Sequence, residues 1–228
     1  MVQNIIYEDE ELLVVYKPAK IAVQTKRFGQ MDMESLLKNY LAGKEEGCPA
    51  GRAVPYLAVI HRLDQPVEGL LVFAKTPEAA SDLSVQASGK DSMRKEYLAV
   101  VCGRPDQLKG QLRDWLLKDG RTNTSRAVPK GTKGAKEALL QYELLETCAG
   151  RSLLRIRLQT GRHHQIRVQF AHAGLPLFGD SKYNPDPGEG SFALCADQLT
   201  FSHPKSGKRL TFSCRPQNPA FAKFQIPG

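Results

Sequence analysis

A chain of 228 residues with 32 Lys and Arg against 24 Asp and Glu carries a net charge of +8, which favours a polyanionic partner. Its five cysteines (Cys48, Cys102, Cys148, Cys195, Cys214) are scattered and never form a C-x-x-C pair, which argues against a zinc ribbon and a disulfide framework and fits a reducing compartment. No apolar run approaches the ~20 residues that cross a bilayer, and no basic segment followed by an apolar one opens the chain, so a soluble cytoplasmic protein is expected.

Residues 5–7 and 12–16 are short apolar runs split by Glu8, Asp9, Glu10 and Glu11, which predicts a hairpin. Residues 33–41 have apolar positions at helical spacing and stop before Gly43, which predicts a helix followed by a polar loop over 43–55. The runs 57–60 and 70–73 read as buried strands, and the loop between them carries His61, Arg62, Asp64, Gln65 and Pro66. Thr76 and Pro77 form a cap and first turn for a helix over 77–87. A strand over 95–101 follows. Residues 120–134 hold Arg121, Arg126, Lys130 and Lys133 with little apolar content and read as a mobile basic loop.

Residues 137–146 and 152–158 read as a strand pair turning at 149–151, with Leu154, Ile156 and Leu158 alternating with Arg155, Arg157 and Gln159. Residues 161–173 read as a helix on which Ile166, Phe170 and Ala173 share one face, while His164 and Arg167 lie on a neighbouring one. A last strand pair spans 193–201 and 208–213. With no repeat and no long linker, one α+β domain over 1–228 is the economical expectation.

Asp64 is the informative residue, a carboxylate on a loop between two rigid apolar strands, preceded by His61 and Arg62. Such loops carry binding and catalytic groups, but Asp beside Gln-Pro also shapes a turn well. The loop by itself leaves both readings open.

Longer stretches resemble a known family. His61-Arg62-Leu63-Asp64 with Gly69-Leu70-Leu71 and Ala74-Lys75 is similar to the signature of the RluA-type pseudouridine synthases. Thr160-Gly161-Arg162-His163-His164-Gln165-Ile166-Arg167-Val168 resembles that family's arginine motif, and Ala171 to Asp180 with Tyr183 continues it in order. Lys17-Pro18-Ala19 at the end of the opening strand pair and Lys95-Glu96-Tyr97 in a later strand complete the likeness.

The resemblance implies the pseudouridine synthase fold, a bent mixed and mostly antiparallel sheet with flanking helices and a central catalytic cleft. It implies an enzyme that isomerises uridines in ribosomal or transfer RNA to pseudouridine. It assigns Asp64 as nucleophile, Arg167 as the cation paired with it, and Tyr97 as the ring that supports uracil or moves its proton. It places Ile166 near the base, and Arg62 against the RNA where a nucleotide is flipped. His61, Arg162, Arg121, Arg126 and Lys130 join as substrate contacts, with Lys17, Lys133 and Lys182 as further candidates for phosphate. Read without the likeness, Tyr97 and Ile166 are core residues and each basic residue is a surface charge. The reaction is redox-neutral and transfers no group, so neither cofactor nor metal is implied. Because the opening strand starts by Ile5, a catalytic domain without the small preceding RNA-binding domain of many relatives is expected, acting as a monomer.

Two positions depart from the family pattern. Val67-Glu68 stands where Thr-Ser is usual, which suggests a negative charge where RNA approaches, and His163 replaces a common Thr. The first departure motivates a rival reading, a non-catalytic RNA-binding or RNA-folding protein on the same scaffold. A metal-dependent hydrolase built on His61, Asp64, His163, His164 and His172 fits no familiar ligand spacing, since adjacent helical histidines point about 100° apart.

Overall fold

The structure is a computed structural model that describes residues 4–25, 29–44, 54–89 and 92–226. In chain order the elements are β1 (Ile5–Glu8), β2 (Leu12–Lys17), α1 (Met33–Lys44), β3 (Ala58–Val59), β4 (Glu68–Ala74), α2 (Pro77–Ser88), β5 (Arg94–Cys102), β6 (Lys109–Asp119), β7 (Thr124–Val128), β8 (Lys136–Cys148), β9 (Arg151–Leu158), α3 (Gln165–His172), β10 (Leu194–Ser202) and β11 (Arg209–Ser213). They form two compact units, one of residues 1–93 with 198–214, the other of residues 94–197 with 215–228. The predicted loop over 43–55 falls largely outside the described residues, and Cys48 with it.

In the first unit β2 and β4 run antiparallel, from Leu12 opposite Ala74 to Lys17 opposite Gly69. Every residue of both strands is buried, which is why their sequences are continuous apolar runs rather than alternating ones. β1 pairs with β2, completing the predicted hairpin. The predicted strand over 57–60 is reduced to Ala58 and Val59, which pair with Ala74 and Phe73. α2 seals one face, packing Ala79 and Leu83 with Leu12, Val14, Leu70, Val72, Leu199 and Phe201. Each such leucine contributes about 2 kcal/mol when taken out of water. The helix starts where predicted because Thr76 Oγ1 accepts the Ala79 N–H at 3.2 Å. α1 starts at the predicted Met33, after Asp32 Oδ1 has accepted the Ser35 N–H at 2.8 Å, and runs three residues past the predicted end.

In the second unit the strand order is β5-β9-β8-β6-β7, each neighbour antiparallel. The β8–β9 turn is made by Ala149 (φ 49°) and Gly150 (φ 73°). Two left-handed residues in a two-residue link match the twist of the strands they join. The basic stretch predicted as a mobile loop is partly strand. β7 pairs with β6, Arg126 standing opposite Leu117, and only Ser125 is buried on β7. An edge strand that buries one small polar side chain leaves no hydrophobic alternation to read.

α3 also differs from expectation. It begins at Gln165, not Gly161, because the Gln165 side chain turns back to accept from Thr160 Oγ1 at 2.8 Å and from the Arg162 N–H at 2.9 Å. His164 is left-handed (φ 54°). His163 and His164 are therefore outside the helix, and their rings stack with centroids 3.8 Å apart rather than diverging. All residues from Gln165 to Phe170 are buried, Arg167 and Gln169 included, so the two-faced pattern expected for this helix is replaced by one buried all round.

Asp197 on β10 is 8 % exposed, and its Oδ1 has no hydrogen-bond partner among the described residues. Burial pushes its carboxyl up to about 6, with nearby Arg155 opposing. A carboxyl raised by folding favours the folded state at low pH, and that advantage is lost as pH rises from the unfolded value through about 6. Asp197→Asn is therefore expected to stabilise the protein by about 2 kcal/mol above pH 7 and to be nearly neutral below pH ~4. Urea unfolding at the two pH values checks this.

Candidate active site

Asp64 opens a turn closed by the Val67 N–H on the Asp64 carbonyl at 3.0 Å. The turn is tied to the stretch after β2 by three further bonds. The Lys20 N–H donates to Gln65 O at 2.8 Å, Gln65 Nε2 donates to Lys20 O at 2.9 Å, and Lys17 Nζ donates to Gln65 O at 3.1 Å. Leu63 and Val67, buried on either side, plug the loop into the core. Asp64 itself is partly exposed and Arg62 is exposed, as contacts to a ligand require. The His61 ring faces back on β4, Nε2 accepting the Val72 N–H at 3.4 Å.

Lys17 and Glu68, beside this loop, correct the sequence reading. Lys17 was expected on RNA phosphate, yet it is 0 % exposed. Its ammonium donates to the carbonyls of Pro18 (2.9 Å), Ile21 (2.8 Å) and Gln65. Glu68 was expected where RNA approaches, yet it is 3 % exposed and accepts the Tyr16 hydroxyl at 2.6 Å. Both were misread for one reason: a charged residue at a strand end is usually solvated, and only the partners reveal the exception.

The second unit holds Tyr97, Ile166, Arg167, Arg162, Arg121, Arg126 and Lys130. Tyr97 on β5 is buried opposite Ile156 on β9, and Ile166 is buried in the first turn of α3. Arg167 forms a fork with Asp180, Nε to Oδ2 at 2.9 Å and Nη2 to Oδ1 at 2.6 Å. The guanidinium lies 5.0 Å from the rings of both Tyr183 and Phe192, stacking that a lysine could not copy. Asp180 follows Gly179, which has a φ of 75° and where a Cβ would meet the Ser191 carbonyl at 2.6 Å, so no side chain fits. Asp180 is the partner of Arg167 that sequence reasoning left without a role, although it closes the third motif block.

Four bonds clasp the β6–β7 hairpin to the turn before α3 and to the segment after Asp180. Ser125 N–H donates to the Tyr183 hydroxyl at 2.8 Å, Lys182 Nζ donates to Asn123 O at 3.0 Å, and His163 bonds Ser125 Oγ and Asn123 Oδ1 at 2.9 and 3.1 Å. Tyr183 in turn bonds His164 Nδ1 at 2.7 Å. Burial, helped by the charges of Arg167, His163 and Lys182, pushes His164 down to about 3, so its ring is neutral at this contact. Lys182, expected on phosphate, is thus spent partly on the clasp.

Beyond the clasp, Lys118, Arg121 and Arg126 line an open groove of about 690 Å³ at the hairpin end. Arg162 is exposed, with Nε on Glu137 O at 2.7 Å. Lys130 is exposed and lies 5.4 Å over the Trp115 ring. Among the described residues no group of three His, Cys, Asp or Glu side chains is gathered to hold a metal ion, and no helix is long and apolar enough to cross a membrane.

Residues 11–172 match the family model described as RNA pseudouridylate synthase. An uncharacterized RNA pseudouridine synthase of Synechocystis is 33% identical over 91% of this chain and 64% of its own length. The ribosomal large subunit pseudouridine synthase D of Nitrosomonas europaea is 35% identical over 91% of this chain and 60% of its own. The chain therefore spans about three fifths of the length of these relatives. Among solved structures, human RNA pseudouridylate synthase domain containing 4 aligns with a TM-score of 0.79, covering 99% of this chain and 95% of that one at 21% identity. That likeness shows the fold: the α+β pseudouridine synthase architecture.

Because the side chain of Asp180 is 0% exposed, removing its partner strands a buried charge. Arg167→Met is expected to cost about 3 kcal/mol or more, and Arg167→Lys somewhat less. Thermal or urea unfolding of the purified variants checks this, and it must be done before any loss of activity is assigned to chemistry.

Proposed function

The chain belongs to the RNA pseudouridylate synthase family, and from that premise we propose that it isomerises chosen uridines in structured RNA to pseudouridine, with Asp64 as nucleophile. The observation that carries the reading is the presentation of Asp64. It is a partly exposed carboxylate on a turn bolted to two fully buried strands, inside the matched stretch that also holds Tyr97 and Arg167.

The reaction breaks the bond from uracil to ribose, turns the base, and rejoins it through carbon 5, so every atom is retained. The Asp64 carboxylate supplies the covalent step. Arg167 is the cation that the family motif pairs with that carboxylate. Tyr97 supports the uracil face or carries the proton from carbon 5, and Ile166 packs near the base. A stacked uridine must be flipped out to react, and the exposed Arg62 suits the space it leaves. Arg121, Arg126, Lys130 and Arg162 bind phosphate, with His61 a lesser contact through its position in the motif. Ribosomal RNA is favoured over transfer RNA by the names of the relatives. The protein acts as a cytoplasmic monomer without cofactor or metal. The non-catalytic rival rested on Val67-Glu68, and with both residues buried that departure concerns packing rather than a lost RNA contact.

Incubation with RNA labelled with tritium at uridine carbon 5 tests the proposal, since forming the new bond releases that tritium. Asp64→Asn is expected to lose at least ~1000-fold in single-turnover rate while RNA affinity stays within about threefold. Release by Asp64→Asn near the native rate would sink the assignment. Replacing Arg121 and Arg126 together by Ala should weaken binding to all RNAs alike and flatten the slope of log affinity against log salt by about two.

A further inference from the structure

We propose that His163 is a positioning residue that sets RNA selectivity: by bonding Ser125 and Asn123 it presets the projecting end of the β6–β7 hairpin for folded RNA. The inference deepens the proposed function, resting on the reading that Arg121 and Arg126 bind RNA phosphate. It concerns a position where this chain departs from its family's common Thr.

β7 is the edge of the second unit's sheet. β6 pairs with β8 only as far as Leu116 opposite Lys136, whereas β6 and β7 go on pairing from Leu117 opposite Arg126 to Asp119 opposite Thr124. The hairpin end that carries Arg121 and Arg126 is therefore two strands wide, and a two-stranded ribbon is marginal in water. Apolar support lies at its base, where Leu116 and Ala127 pack with Val168 of α3. From residue 117 to 126 only Ser125 is buried. Within itself the end is braced, with the Arg121 N–H on Asp119 Oδ1 at 2.8 Å and the Thr122 and Thr124 hydroxyls 2.7 Å apart. It behaves as one piece, and polar bonds to its surroundings decide where that piece sits.

Two of those bonds come from the segment after Asp180, the Tyr183 hydroxyl taking the Ser125 N–H and Lys182 reaching the Asn123 carbonyl. His163 supplies two more, Nδ1 with Ser125 Oγ and Nε2 with Asn123 Oδ1, and these run to the turn before α3. That turn is firm, because the Gln165 side chain holds it at Thr160 and Arg162 and the His163 ring stacks on His164. A Thr here has a single hydroxyl on a shorter stem, too little to bond both partners. Arginines placed in advance lose less freedom on binding, and they reject RNA whose phosphates do not match their spacing. Folded RNA presents phosphates at fixed spacing, whereas a flexible strand adapts to fixed or loose charges alike.

The test compares the native chain with His163→Thr and Ser125→Ala by hydrogen exchange of the hairpin amides. Binding and tritium release are followed with two probes, a folded transcript of large-subunit ribosomal RNA and oligouridine. In His163→Thr the amides of residues 117–126 should exchange about tenfold faster. Affinity for the transcript should fall about five- to tenfold while that for oligouridine stays within about twofold. The RNA concentration giving half-maximal rate should rise with the loss of affinity, and the rate at saturation should change far less. The slope of log affinity against log salt should be kept, because both arginines remain. Ser125→Ala removes one bond from the hairpin side and should move the same quantities less, in the same direction, which keeps the test alive if His163→Thr does not fold. Unchanged exchange in a folded His163→Thr overturns the proposal. So does an equal loss of affinity for both RNAs, and so does a fall in saturating rate with half-saturation fixed, which would place the effect on the turn before Arg167. A native chain that binds the transcript but releases no tritium, with exchange and RNA preference moving as stated, overturns the isomerase reading and supports the role of His163.

Discussion

A lysine without exposed surface must find acceptors or give up its charge, and the first unit is arranged around that constraint. Lys17 ends β2 at the point where β2 meets the start of β4, so its ammonium arrives beneath the turn that carries Asp64. Because the strands on either side are buried along their whole length, the turn has few ways to relax. The Asp64 turn is therefore held from below by the Lys20 backbone and the Lys17 ammonium, and Asp64 itself stays partly exposed.

The second unit solves a similar problem with different chemistry. Arg167 is buried in the first turn of α3, and Asp180 meets it with both oxygens, reached through a glycine that lets the chain fold back tightly. Around this pair the neutral ring of His164, the phenol of Tyr183 and the His163 side chain tie the basic hairpin to the turn before the helix. The arrangement couples the placement of the Arg167 guanidinium to the placement of the basic side chains of the hairpin. His163, where the family commonly has Thr, is the residue that makes two of those ties.

Much of the architecture was legible because burial and periodicity leave direct marks. The doubly buried β2 and β4, the capped α2 and the β8–β9 hairpin all followed from apolar runs, a Thr-Pro start and a turn dipeptide. Legibility failed where polar side chains do structural work. β7 buries only Ser125 and looked like a loop. α3 was read as two-faced and longer, since nothing in Gln165 announces that it will turn back and delay the helix start to its own position. Glu68 and Lys17 looked like surface charges because burial of a charge is decided by distant partners, here Tyr16 and the Gln65 carbonyl. The motif residues themselves were found by resemblance, and the groups that hold them were found only in three dimensions.

The antiparallel register of β5 with β9 has a consequence for how the chain is made. Glu96 pairs with Arg157 and Cys102 with Arg151, so β5 leaves the ribosome well before this partner exists. At a synthesis rate of ~5–20 residues per second, the wait for about fifty more residues lasts several seconds. During that time the run Tyr97-Leu98-Ala99-Val100-Val101, among the most apolar of the chain, is an unpaired strand of the kind that aggregates. The charged triplet Arg94-Lys95-Glu96 directly before it is placed as a gatekeeper for such a segment. The left-handed pair at Ala149-Gly150 shortens the hazard from the other side, because β9 can zip onto β8 as soon as it emerges and offer β5 a finished edge.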